Sequence, residues 1–185
     1  MATTINRKGF GQVEPNHLSA QTNGQIYAQL PASTAVGKIL ENGRFLKYDY
    51  AAGVCDCSTA ASAGEWMLVF NEVKLYDPRK QAYKDYAMKS DDFMGGTMVP
   101  RLLKTNVGDI FTTNTFGANS ADSLATTAGP TLSVGNYVAP GADGYLTTTS
   151  APTTATSPSA APIFVVVKEY NLGDMQPAVK LQRVF

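Results

Sequence analysis

The chain has 185 residues, 15 Lys+Arg against 15 Asp+Glu for no net charge, 44% apolar and 16% charged side chains, 16 Gly and 10 Pro. That length bounds it to one or two small domains with a real core, and the low charged share, made up by Ser, Thr, Asn, Gly and Ala, is typical of β-rich proteins with neutral surfaces. With no net charge and no basic cluster denser than Arg79-Lys80, the chain has no field to gather DNA, RNA or anionic lipid, so neither nucleic acid nor a membrane is expected as a partner.

Nothing approaches the ~18 to 20 consecutive apolar residues of a membrane span, and the first eight residues lack the apolar run of a signal peptide. The chain is therefore expected to be made and kept in the cytosol unless something assembles around it. Residues 3–33 contain Gly9, Gly11, Pro15, Gly24 and Pro31 but few large apolar side chains. Such a segment cannot build a core of its own, so residues 1–33 are predicted to form an extended N-terminal arm with one short strand at 25–30.

A β domain is expected over 34–185. Residues 36–41 and 44–50 flank Asn42-Gly43, a two-residue hairpin signal because both residues tolerate positive φ. In the second run Leu46, Tyr48 and Tyr50 alternate with Phe45, Lys47 and Asp49, which predicts one core face and one solvent face. Cys55 and Cys57 are too close for an ordinary disulfide and read as reduced thiols. As metal ligands they would need two more partners, and the single histidine, His17, lies far upstream, so no metal is expected.

Residues 65–70 form the most apolar strand candidate, with Trp66 as a core anchor, continued by 72–76 to a turn at 77–80. Residues 81–89 fit a strand or a loop. Strand, turn, strand is predicted over 98–104, 106–109 and 110–114, with Pro100 implying an edge or a bulge. Residues 117–131 are a polar loop, and 132–138 and 144–149 are strands around a turn at 139–143. Between Lys104 and Lys168 there is no Lys or Arg, and 147–162 consists only of Thr, Ser, Ala and Pro, the composition of an exposed, hydrated loop. Two strands, 163–170 and 178–185, close the chain around a turn at 171–174, the second pinning the C-terminus into a sheet. No sustained helical stripe appears. The predicted class is all-β, an antiparallel β-barrel or sandwich built from 36–114 and 132–185 with the N-terminal arm attached.

Chemistry is not advertised. There is no Gly-x-Ser-x-Gly elbow, phosphate-binding loop, His-Glu-x-x-His or dinucleotide fingerprint. Asp91-Asp92 reads as a solvated turn, since neighbours on a strand face opposite ways. Cys55 could meet His17 as its base only if the arm folded back over the body. The turns at 106–109 and 171–174 carry oxygen ligands suited to calcium, without the spacing of an EF-hand loop. Tyr48, Tyr50, Trp66, Phe70, Tyr76, Tyr83 and Tyr86 offer either core or a stacking platform for a sugar. Neither a catalytic role nor a cofactor is expected.

Three segments characterise the chain. The first is Gly9-Phe10-Gly11-Gln12-Val13-Glu14-Pro15 leading to Gly24-Gln25-Ile26-Tyr27-Ala28-Gln29-Leu30-Pro31, the second Leu40-Glu41-Asn42-Gly43-Arg44-Phe45-Leu46-Lys47-Tyr48, and the third Leu103-Lys104-Thr105-Asn106-Val107-Gly108-Asp109-Ile110-Phe111-Thr112-Thr113-Asn114. With a polar arm, a neutral all-β body and the Thr/Ser/Ala/Pro excursion, the chain resembles the decoration, cement or auxiliary capsid proteins of tailed-bacteriophage heads. The resemblance implies a structural virion protein, made in the host cytoplasm and seated on the capsid exterior, that stabilises the shell by bridging subunits of the major capsid protein, with self-association on the lattice as a further contact. An arm that costs about 1–2 kcal/mol per residue to order must recover this on a partner surface. On that reading Ile5, Phe10, Val13, Leu18, Ile26, Tyr27 and Leu30 are its partner-binding anchors. The rival reading is a fibre, neck or tail-associated β module that binds a receptor or glycan, with 117–131 and 147–162 as display loops.

Overall fold

The computed structural model describes residues 2–57, 64–71, 86–117, 129–152 and 161–185. The strand expected at 72–76, the turn at 77–80, the first half of 81–89, most of the 117–131 loop and residues 153–160 of the neutral excursion lie outside the described residues. Within them the chain forms fifteen strands and one short helix: β1 (Ala2–Thr4), β2 (Val13–His17), α1 (Ser19–Asn23), β3 (Ile26–Tyr27), β4 (Ile39–Glu41), β5 (Phe45–Asp49), β6 (Val54–Asp56), β7 (Met67–Val69), β8 (Ala87–Lys89), β9 (Leu102–Lys104), β10 (Ile110–Thr113), β11 (Thr131–Ser133), β12 (Tyr137–Pro140), β13 (Leu146–Thr149), β14 (Phe164–Asn171) and β15 (Pro177–Arg183).

The strands make a six-stranded sheet ordered β13-β12-β14-β15-β10-β2, a five-stranded sheet ordered β3-β9-β7-β5-β6, and the pairs β1-β11 and β4-β8. Every ladder between them is antiparallel, so the all-β, antiparallel class is as expected. No closed barrel forms among the described residues; the nearest approach is a single bridge from Phe116, just beyond β10, to Leu146. The two large sheets share one core through three rings: Phe45 of β5 lies 6.4 Å from Phe111 of β10 and 5.5 Å from Phe164 of β14, and Phe111 meets Phe164 edge-on at 5.3 Å. All three are fully buried, each contributing roughly 1.5–3 kcal/mol of burial before ordering costs.

The two late hairpins form, although the strand expected over 132–138 breaks at 134–136 into β11, which pairs with β1, and β12, which runs on through Pro140 of the expected turn. β12 and β13 pair over four positions, and β14 and β15 pair from Phe164 opposite Arg183 to Asn171 opposite Pro177. Phe164 and Val166 on one strand and Val179 and Leu181 on the other are buried, the period-two pattern of a sheet with one core face. The backbone at 163 continues that pairing to Val184 and Phe185.

Three expectations need correction. Asn42-Gly43 does not close a hairpin, because β4 pairs with β8 while β5 pairs with β6 and β7. The dipeptide is instead a corner between two sheets. Gly43 takes φ +90°, and a side chain there would collide with Thr115, so the sequence signal encoded the positive φ correctly but not the strand partner. Asn42 fixes the corner by exchanging hydrogen bonds with the backbone of Asn71, at 3.1 Å and 2.7 Å. Likewise β9 and β10, expected as neighbours, lie in different sheets; the turn between them is a crossing held by Asp109, which accepts hydrogen bonds from the backbones of Asn106 and Ser19.

The third correction concerns the extended arm. Residues 2–33 do not extend from the body: β1 pairs with β11, β2 with β10 and β3 with β9. Between β1 and β2, the Arg7 guanidinium holds the Glu41 carboxylate in a two-pronged ion pair at 2.7 Å and 2.9 Å, and the Gly11 amide donates to the same carboxylate at 2.6 Å. Both charges are buried, so each stabilises the other only with this geometry. Gly11 must lack a side chain because one would run into Thr115, the Asn42 carbonyl and Arg7 itself. The segment could not have built a core alone, and it uses the body's core instead.

Candidate functional site

β5 is buried on both faces from Phe45 to Tyr48, rather than on one. Its inner face carries Phe45 and also Lys47, whose ammonium lies 4.7 Å from the Trp66 ring. Its outer face carries Leu46 and Tyr48, following strand alternation, with Tyr50 in the turn just past the strand end. Register extends that outer face across the sheet: Met67 stands opposite both Leu46 and Lys104, and Tyr27 stands opposite Leu102. Residues directly opposite one another share a face, so Tyr27, Tyr48, Met67 and Lys104 converge. They line a groove of about 370 Å³ together with Tyr50 and Glu65.

The three tyrosines form a stair. Tyr27 meets Tyr48 edge-on with ring centres 5.7 Å apart, and Tyr48 meets Tyr50 in the same way at 5.7 Å. Tyr48, the middle step, is buried, and its hydroxyl accepts a hydrogen bond from the Gln29 amide at 3.1 Å. Tyr50 is 75% exposed, an aromatic ring standing at the mouth of the groove. At the other side the Lys104 ammonium sits 2.9 Å from the Glu65 carboxylate, with the Arg183 guanidinium 3.6 Å from its second oxygen. Arg183 is itself held by the Thr105 and Phe185 carbonyls. The Glu65 carboxylate, by hydrogen bond and then by charge, raises the Lys104 pKa above its ordinary value, so Lys104 stays charged. Chemically the groove offers aromatic walls beside a carboxylate acceptor and an ammonium donor that are already paired with each other.

The other candidates resolve as follows. Ile5, Val13 and Leu18 are buried within the chain, and Ile26, Tyr27 and Leu30 are half-buried against the same core. Phe10 is half-buried with the Lys89 ammonium 5.4 Å from its ring. Of the seven, only Tyr27 reaches the groove. Both cysteines are buried free thiols; burial pushes Cys55 up to about 12, and burial also raises Cys57 despite the neighbouring Arg44 charge. Cys55 lies on β6 in the five-stranded sheet and His17 on β2 in the six-stranded one. Asp91 and Asp92 lie exposed in a turn, while Asp109 and Asp174 hold turn backbones and neighbouring side chains. Among the described residues no group of three or more His, Cys, Asp or Glu side chains is placed to hold a metal ion, and no helix is long and apolar enough to cross a membrane.

Sequence reasoning singled out Tyr48 and Tyr50 as a choice between core and stacking platform, but not Glu65 or Lys104, which join them only through the β5-β7-β9 register. The chain matches no protein-family model, and no curated protein or solved structure is significantly similar to it.

Proposed function

We propose that this chain is a non-enzymatic structural protein of a tailed-phage virion that sits on the capsid exterior and stabilises the shell by contacts to the major capsid protein. The observation that carries the reading is a sheet edge that is largely open among the described residues. β13 ends the six-stranded sheet, and its residues Thr147, Thr148 and Thr149 are exposed. On its outer side, among the described residues, Leu146 is met by the Phe116 bridge and the Gly117 amide, and Gly117 also lies beside Thr147. Native edges are ordinarily blunted by charge, proline or a covering segment. The opposite edge, β2, has Glu14 and Pro15, and β6 is covered by the backbone at Pro31 and Ser33. Among the described residues β13 carries no charge or proline and is met only near its start, which suits it to accept a strand from a neighbouring shell subunit. The N-terminal segment, sewn into the body, stiffens the module instead of reaching for a partner.

The test is quantitative mass spectrometry of purified particles from the source phage, counting copies of this chain per copy of the major shell protein. A ratio near one, or a simple fraction of it, is expected. A handful of copies would move the protein to a neck, tail or fibre, and none would remove it from the virion. Thr148→Lys, which charges the open edge, is expected to abolish rebinding to stripped shells while leaving the fold intact; rebinding at wild-type strength would overturn the edge as the contact. The second reading, a fibre, neck or tail-associated module that binds a receptor or glycan, is favoured by the tyrosine groove.

A further inference from the structure

We propose that the groove between Tyr27, Tyr48 and Tyr50 is a binding site for a neutral sugar, one or two pyranose rings of a glycan. The groove carries this by itself, whichever position in the virion the chain occupies. Its volume, about 370 Å³, lies at the small end of the roughly 300–1,000 Å³ range of small-molecule sites. That suits a ring or two rather than an extended polymer lying in a cleft.

Three features select the chemistry. First, Tyr50 is 75% exposed and stands at the mouth of the groove beside two further tyrosine rings. Perpendicular to the buried Tyr48 ring at 89°, it presents a flat face against which the C–H face of a pyranose packs. Second, the groove holds a carboxylate and an ammonium 2.9 Å apart, with side chains 40% and 32% exposed. A carboxylate acceptor beside an ammonium donor is matched to adjacent hydroxyls, each of which both gives and takes a hydrogen bond. Third, both cations are already engaged by Glu65. An anionic ligand would have to displace Glu65 from Lys104 and Arg183, and a cationic ligand would meet those two cations, so an uncharged ligand gains most from the site. Tyr48, its hydroxyl fixed by the Gln29 amide, and Met67 are both buried and give the groove a packed floor, which lowers the ordering cost of binding.

The experiment is a titration of the full chain with the methyl glycosides of glucose, galactose, mannose and N-acetylglucosamine at millimolar concentrations, read by backbone amide NMR shifts. Saturable shifts with at least one of them, concentrated at 50–51, 64–67 and 104, are expected. Tyr50→Ala should weaken that binding at least tenfold with an unchanged thermal midpoint, because its ring is mostly in solvent. Glu65→Gln, which keeps the shape and removes the charged acceptor, should weaken it several-fold and provides a second reading of the same site. No saturable shift with any of the four overturns the proposal. So does binding that both variants leave unchanged, or, in a parallel titration with glucuronic and sialic acid, binding of these acids alone, which would assign the groove to an anion. A negative result here leaves the copy-number test of the shell reading untouched, so the two ideas fail separately.

Discussion

The C-terminal hairpin and the N-terminal segment hold their places by different means. β14 and β15 are joined by a ladder reaching from Phe164–Arg183 to Asn171–Pro177, with buried apolar residues alternating along it. Residues 2–23 have few such residues and rely on distant polar partners: Thr3 to Glu169, Arg7 to Glu41, the Gln12 amide to Asn114, and Ser19 to Asp109. Removing one apolar side chain from a ladder costs its packing, in proportion to its size. Removing one member of a buried polar pair costs more than the pair contributes, because the survivor is left desolvated and alone.

That contrast can be broken most directly with Glu41→Ala and Phe164→Ala, each expected to lower unfolding free energy by about 3–5 kcal/mol in urea titrations. The two should differ in rescue. Combining Glu41→Leu with Arg7→Met, which removes both charges, should restore most of the stability, whereas the Phe164 cavity has no such single partner. If the double variant is no better than Glu41→Ala, the N-terminal segment is held by packing and the contrast disappears.

A smaller effect tests how dry the body is where the N-terminal segment crosses β6. Cys55 donates to the Leu30 carbonyl at 3.7 Å, and burial lifts its pKa from 9.0 to about 12. Between those values the unfolded chain releases the thiol proton and the folded chain keeps it, so this group makes stability fall as pH rises through that window. Urea midpoints at about pH 8 and about pH 10 should therefore lie closer together in Cys55→Ala than in the wild type. A disulfide-exchange reagent should label neither thiol until the protein unfolds. Rapid labelling of the native chain would mean that the segment opens locally.

The smallest effect is expected at the groove. Lys104→Ala removes a partly exposed ion pair and should change stability by no more than about 1 kcal/mol. A larger loss would show that the Glu65, Lys104 and Arg183 group is structural, in the manner of Arg7 and Glu41, and would remove the spare polar groups from the site.

Legibility in the sequence followed the range of each interaction. The β12-β13 and β14-β15 hairpins were readable because turn chemistry and period-two patterning are local. Asn42-Gly43 and Gly108 were readable as reversals, but whether the chain returned beside itself or crossed to the other sheet depended on partners far along the chain, Val69 for Gly43 and Arg183 for Gly108. Tyr48 could be placed on one face of β5, with Tyr50 just past its end, from alternation alone. Glu65 and Lys104 could not be placed beside them, since a one-residue shift of β7 or of β9 against its neighbour would have sent one or both to the opposite face.

The sequence by itself determined a neutral, antiparallel all-β chain with local hairpins, a tryptophan in the core and no segment at the N-terminus able to fold alone. Tertiary structure decided that this segment is sewn into the body, that Phe45 rather than Tyr50 faces the shared core, and that three tyrosines meet one ion pair. Backbone conformation and strand alternation are set by neighbours in the chain. Which strands lie side by side is settled only by burying charges and rings that meet across more than thirty residues, as Arg7 does with Glu41 and Phe45 with Phe164.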